Sequence, residues 1–403
     1  MSTRPSLSLA APSTGSTIAS ETLLTRPFVL LLCVHFFFSF SWSAFLLLPK
    51  YLTQEFHASS AVIGAASSIN LFAGVALTPL VGALIDRGAR RPMIFWGTLL
   101  HGLLAAGFAW IHTVGAPLYV MRALLGVVYV LVFNADATLA ADMAPPQKLG
   151  QAIGLCGVAS VATNALAPSL GEVVADHWGW GWVFLLAGAS SWLAMLLALG
   201  IREPDKDSLT QSSRETGASA LSLIFDSARF GAFACAAAAG AAFGALFTFT
   251  QAFALSLGAK QVSGFFVGYT ASALFVRILL GNVADNLGRR RVVLAALVLY
   301  GIDATGSAAL RPALLPLLGA GLGLAHGFLY PALNAIAAEG VPRARRGAVM
   351  SYFSACFFGG FAIWVYGLGW LAKSSGYSLV FLLSGALVWC SILVLPRARG
   401  VEA

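Results

Sequence analysis

Of the 403 residues, 59% are hydrophobic and only 10% are charged, with a formal net charge of +8. Soluble domains carry roughly 25% charged residues. This composition, with a mean hydropathy of +0.83, excludes an ordinary soluble domain and implies a chain solvated by lipid. The basic excess follows from its placement along the chain, without any nucleic-acid partner.

Residues 1–25 are rich in Ser, Thr, Ala and Pro and have neither a basic start nor an apolar core. They read as a disordered cytoplasmic tail and not as a cleaved signal peptide. Apolar runs of about 20 residues, the length that crosses a bilayer, follow near 28–49, 61–84, 93–113, 118–142, 151–175, 180–201, 229–256, 263–284, 292–310, 312–337, 348–371 and 377–395. Lipid-exposed backbone must satisfy its own hydrogen bonds, so twelve runs predict twelve transmembrane helices. A polar segment at 203–216, "EPDKDSLTQSSRET", parts six runs from six. The expected fold is an all-α membrane protein with two pseudo-symmetric six-helix bundles, 26–202 and 227–396. A cytoplasmic linker at 203–226 joins them and a cytoplasmic tail at 397–403 follows. Cys33, Cys156, Cys235, Cys356 and Cys390 are odd in number and scattered, giving no disulfide framework or metal spacing. No metal and no cofactor is expected.

Lys and Arg accumulate in cytoplasmic loops. Of the 24, Arg122 and Arg277 fall inside runs and four (Lys50, Lys260, Arg311, Lys373) fall on one side, leaving eighteen on the other. Both termini belong to the eighteen-residue side, read as the cytoplasmic face of a bacterial-type inner membrane.

Two charged stretches repeat. "LIDRGARRP" at 84–92 returns as "VADNLGRRR" at 283–291, and "ADMAPPQKLGQA" at 141–152 returns as "AEGVPRARRGAV" at 338–349. The second pair aligns Asp142 with Glu339 and Lys148 with Arg345 at an offset of 197. Parallel repeats of six helices place a substrate site near mid-membrane, along the axis relating the halves.

Here the residues resemble a family. "GNVADNLGRRR" is similar to the loop signature of the major facilitator superfamily through Gly281, Asp285, Gly288, Arg289 and Arg290; in the first half Gly82, Leu84, Asp86, Arg87, Arg90 and Arg91 match, with Ala89 in place of a glycine. "MRALLG" resembles a fourth-helix motif through Arg122 and Gly126. "APSLGE" retains Pro168 and Gly171 of a fifth-helix pattern common in drug and metabolite antiporters, with Ala167 and Glu172 standing where glycines are usual. The resemblance, over about 28–396, implies alternating access, no enzymatic activity, and a cavity lined by the first, fourth, seventh and tenth spans. It also places an acid just before the cytoplasmic loop after the fourth span, which is Asp142, with Glu339 as its counterpart. Asp86–Arg90–Asp142 and Asp285–Arg289–Glu339, with Arg87, are then expected to act as paired latches stabilising an outward-open state. The plainer alternative is that the arginines only set topology and the acids only cap helices.

Within the fourth span Arg122, Tyr129 and Asp136 recur every seven residues and form one stripe, from which Asp142 departs by roughly 120°. His326, Tyr330 and Asn334 form a similar stripe in the tenth. Asp136 sits at hydrocarbon depth, where a carboxylate must pair, protonate or meet water. It is the leading candidate for proton coupling, with Arg122 as its responder, as an anion site, or snorkelling outward from a turn inside the membrane; the alternative for Asp136 is a permanent salt bridge or a hydrogen bond with nearby polar groups such as Asn134. His35, Ser39 and Trp42 share a face of the first span. Substrate contacts are expected at His35, Trp42, Tyr129, Asn134, Gln251, His326, Tyr330 and Asn334. Glu172 reads as an outer gate or a solvated acid, Arg277 as a brace for the second loop, and Asp303 and His101 as lesser intramembrane candidates.

The function expected is secondary transport of a small organic molecule by a monomer in the bilayer, as proton-coupled efflux. Uptake of a sugar or organic acid by symport or facilitation is the alternative, since fold does not fix direction. A non-transporting membrane receptor is a remoter one.

Overall fold

The computed structural model describes residues 22–87, 89–201, 203, 227–281 and 286–395. The proposed tails and linker lie almost wholly outside them. Within them the chain is helical, with no strand among the described residues.

In chain order the helices are α1 (Arg26–Ala44), α2 (Leu48–Phe56), α3 (Ser60–Arg87), α4 (Arg90–Gly107), α5 (Ala116–Met143), α6 (Leu149–Trp178), α7 (Trp180–Ala198), α8 (Ser227–Ser256), α9 (Ser263–Leu279), α10 (Arg289–Gly306), α11 (Leu315–Ala337), α12 (Arg343–Ser375) and α13 (Tyr377–Leu393). A single 3₁₀ turn, Phe45–Leu47, splices α1 to α2, so both belong to one 31-residue span from Arg26 to Phe56. Ten helical segments among the described residues are long and apolar enough to cross a membrane, and the shorter apolar α9 and α13 complete twelve.

Local chemistry sets the boundaries. Thr25 caps α1 by accepting from Phe28 N, with Pro27 in its first turn, where the missing N–H costs nothing. The fifth and eleventh spans both stop at a glycine in the left-handed region, Gly179 at φ 90° and Gly376 at φ 79°. These two stand 197 residues apart, the offset of the charged repeat. The same offset relates Gly126 on α5 to Gly323 on α11. A Cβ on Gly126 would lie 1.9 Å from the Asn70 carbonyl oxygen of α3, and one on Gly323 would lie 2.3 Å from that of Tyr269 on α9. Each half therefore presses its second and fourth spans together at a side-chain-free point, the device that lets membrane helices approach closely. The loop glycines differ: Gly288 adopts φ 86°, whereas Ala89, which precedes α4, is extended at φ −77°.

Two ends follow from this order. The basic end carries the starts of α1, α4, α6, α10 and α12; the far end carries α2 and the starts of α3 and α9. At the far end the halves touch. Ser60 donates to the Gly369 carbonyl at 2.9 Å, and a Cβ at Gly64 would meet the Val365 carbonyl oxygen at 2.6 Å. At the basic end they part around a vestibule of about 1220 Å³, lined by Lys148, Gln151 and Val158 of the first half and by Arg277, Tyr330, Asn334 and Arg346 of the second, among others. Among the described residues, the structure is open at the basic end and shut at the other.

Candidate functional site

A second cavity of about 260 Å³ lies between the halves. Trp42 of α1 and Tyr129 of α5 stack on its wall with ring centroids 3.9 Å apart, and Phe133 continues the stack from Tyr129. Phe243, Phe247 and Phe361 face them from the second half. Two buried polar atoms on this apolar lining have no hydrogen-bond partner, Arg122 Nη1 and Asn70 Oδ1. Arg122 is 4% exposed. Its Nε donates to the Ala66 carbonyl at 3.1 Å and its guanidinium lies 5.3 Å from the Phe45 ring centroid. It faces the cavity and does not reach out to the membrane surface.

Below the aromatic stack runs a polar chain. Asp136 Oδ2 contacts His35 Nδ1, His35 Nε2 lies 2.6 Å from Ser160 Oγ, and Ser160 lies 3.2 Å from Ser39 Oγ. Ser39 and Ser160 line the cavity, whereas Asp136 and His35 are buried at 1% and 2% exposure. With a neutral imidazole, Nδ1–H donates to the carboxylate and the Ser160 hydroxyl donates to Nε2, so each hydroxyl has a role on both sides. The other carboxylate oxygen, Asp136 Oδ1, has no partner. The partner of Asp136 is thus on the first span, not Asn134. Two residues along the helix amount to about 200°, which turns Asn134 to the opposite, exposed face, where its Nδ2 donates to the Val130 carbonyl. That removes Asn134 from the substrate candidates.

The second half does not repeat this chain. His326, one repeat on from Tyr129, packs among Phe243, Phe357 and Tyr330, and its Nδ1 has no partner. Tyr330 and Asn334 line the vestibule, with the Tyr330 hydroxyl 3.1 Å from Ser354 Oγ. Gln251 is fully buried and donates to the Leu46 carbonyl of the first half at 2.7 Å and to Phe247 at 2.8 Å. It pins the halves together and is absent from the cavity wall, where its neighbour Thr248 stands. Arg277 lines the vestibule and reaches α6: a Cβ at Gly157 would stand 2.7 Å from its Nη1. His101 is held by Ser41 at 3.2 Å, and Asp303 packs its Oδ1 against Gly321.

The repeated charges close inside each half. Arg90 Nε lies 3.5 Å from Asp142 Oδ2, without hydrogen-bond geometry, and Arg289 Nη1 lies 4.0 Å from Glu339 Oε1. Both contacts are present while the basic end is open, so forming them does not require that end to be shut. The side chains of Asp86 and Arg87, and all of Asp285, lie outside the described residues. A third pair, Lys50–Glu172, also lies within the first half, but it is buried and bonds the backbone of the second. Lys50 Nζ donates to Glu172 Oε1 at 2.5 Å and to the Lys260 carbonyl at 2.9 Å. Glu172 accepts from Val262 N at 2.8 Å and Ser263 N at 2.9 Å, the N-terminus of α9, where a carboxylate is favoured. Both side chains are at most 1% exposed. The sequence places Lys50 just past the first apolar run, on the side with four basic residues, and the available signal for its partner is an acid, Glu172, inside the fifth run. Asn70 and Ser160 belong to the second and fifth spans, outside the set of spans that the resemblance assigns to the cavity.

Residues 31–313 and 259–402 match the Major Facilitator Superfamily. The chain belongs to that superfamily. Similar to this facilitator are the multi-drug resistance efflux pump PmrA of Streptococcus pneumoniae, 25% identical over 355 residues, 82% of this chain and 84% of that one, and the multidrug resistance protein MdtG of Enterobacter lignolyticus, 27% identical over 290 residues, 70% and 69%. A crystal structure of the nucleoside transporter NupG superposes with a TM-score of 0.78 at 15% identity, over 91% of this chain and 98% of that one, a likeness of fold. The facilitator is an integral membrane transporter and not an enzyme.

Proposed function

We propose that this facilitator is a monomeric, proton-coupled exporter of a small organic molecule, with its basic end in the cytoplasm of a bacterial-type cell. The chain from Asp136 through His35 and Ser160 to Ser39 carries this reading. It joins an intramembrane carboxylate to the cavity by groups that each donate and accept. An ionisable residue kept in hydrocarbon is costly unless it serves a pathway, and this one has a route for its proton. The efflux names of the similar proteins support the direction, and the eighteen-to-four bias of basic residues supports the orientation. The open vestibule then admits substrate from the cytoplasm, and the Lys50–Glu172 clasp holds the outer mouth. Arg90–Asp142 and Arg289–Glu339 brace each half and tighten as the inner mouth closes.

Proteoliposomes with an imposed pH gradient test the coupling. Antiport gathers the transported compound on the acidic side, symport gathers it on the alkaline side, and a facilitator leaves it evenly spread.

A further inference from the structure

The charges along the route identify the kind of molecule that travels it. Arg122 is the cation of the central cavity, and Lys148, Arg277 and Arg346 line the vestibule beneath it. No Asp or Glu stands among the described lining residues of either space. Asp136, the acid of the polar chain, is taken by His35. None of the ion pairs among the described residues includes Arg122. A buried guanidinium without a counter-ion is unfavourable; Arg122 lines the cavity and its Nη1 is buried without a partner, a partner that an anion entering there would supply.

The rest of the wall defines the remainder of the ligand. Arg122 bonds the Ala66 carbonyl, and Gly126, one turn further along α5, meets the Asn70 carbonyl one turn further along α3. Packing of these two helices therefore fixes Arg122 and Asn70 beside each other on the seam. Asn70 Oδ1 is an acceptor without a donor and calls for a hydroxyl or amino group. Trp42, Tyr129, Phe243 and Phe247 offer aromatic faces to a ring. The cavity lies slightly under the range of about 300–1,000 Å³ usual for drug-sized ligands, which favours a compact molecule.

Resting on the exporter reading above, we propose that the transported class is small aromatic carboxylates bearing a hydroxyl or amino group. The carboxylate sits on Arg122, the donor on Asn70, and the ring between the aromatic walls. The basic vestibule concentrates such anions and repels organic cations. Arg122 and Asp136 are fourteen residues apart, about 21 Å along the helix. Anion and proton thus occupy separate sites and are coupled through the conformational cycle.

The test is binding to the purified full-length protein in lipid, with para-hydroxybenzoate, its neutral analogue para-hydroxybenzamide, and tetraphenylphosphonium as the cation. The acid should bind about tenfold or more tightly than the amide, as a charge-assisted hydrogen bond requires, and the cation should not compete with it. Arg122→Gln should erase the acid-over-amide preference while amide binding persists, and Arg122→Lys should keep part of it. Equal affinity for acid and amide, competition by the cation, or no saturable binding of the acid overturns the proposal. The wild-type comparison decides this even if a variant fails to fold. Measuring flux of the acid with and without a pH gradient separates the two readings: gradient-independent flux of a bound acid sinks proton coupling alone, and gradient-driven flux of the cation alone sinks the anion assignment.

Discussion

The two ends of the molecule use ionic pairs in opposite ways. At the far end one pair, Lys50–Glu172, is buried within the first half and reaches the second through the Lys260 carbonyl and two backbone N–H groups, Val262 N and Ser263 N. At the basic end two pairs repeat, but each stays within its half, and Arg289–Glu339 is 43% and 70% exposed. Exposed pairs contribute little. A buried pair is neutral at best when intact and strongly destabilising when one partner is lost. Control over which mouth is open therefore belongs to the far end in this conformation, although the sequence repeats the basic end more conspicuously.

The contrast can be broken most forcefully at Glu172. Glu172→Gln leaves the Lys50 ammonium buried without its counter-charge, and should cost the closed far end about 3–5 kcal/mol. Spin labels at Gln54 and Lys373, far-end positions on opposite halves, should report a new population at longer distance. An unchanged distance distribution would remove the clasp from the gate. Lys50→Met combined with Glu172→Gln removes both charges yet keeps an acceptor for Val262 N and Ser263 N, so it should return to within about 1 kcal/mol of the wild type. Gln251→Ala deletes the bond to Leu46 across the halves and should open the far end in the same sense, by about 1 kcal/mol. Arg289→Gln should shift the same distances by at most about 0.2–1 kcal/mol. If Arg289→Gln matched Glu172→Gln, the two ends would be equal partners after all.

Much of the fold was legible because its determinants are local. Apolar runs of membrane length, the polar segment at 203–216 and the charge bias specify spans and halves from single stretches of chain. The 197-residue offset that aligns Asp142 with Glu339 also aligns Gly126 with Gly323 and Gly179 with Gly376. The site was legible only in part. Helical periodicity placed Arg122 and Tyr129 on one cavity stripe and singled out Asp136. It also contained the reason to discard Asn134, which lies on the opposite face. What periodicity does not carry is the partner on another helix. That His35 meets Asp136, that Lys50 meets Glu172, and that Gln251 spends its amide on Leu46 depend on packing between spans 101 to 205 residues apart. His326 shows the converse limit: its placement mirrors Tyr129, but aromatic neighbours rather than polar ones surround it.

The central claim is that the carboxylate of Asp136, served by His35, carries the proton that drives transport. Its most direct test follows lumenal pH with pyranine in proteoliposomes, using whichever compound of a panel of aromatic anions, neutral aromatics and organic cations the wild type moves. Wild-type protein should pass protons against the flow of that compound. Asp136→Asn should keep downhill exchange of the compound and lose the proton flux, while His326→Gln keeps both. Proton flux undiminished in Asp136→Asn would contradict the account.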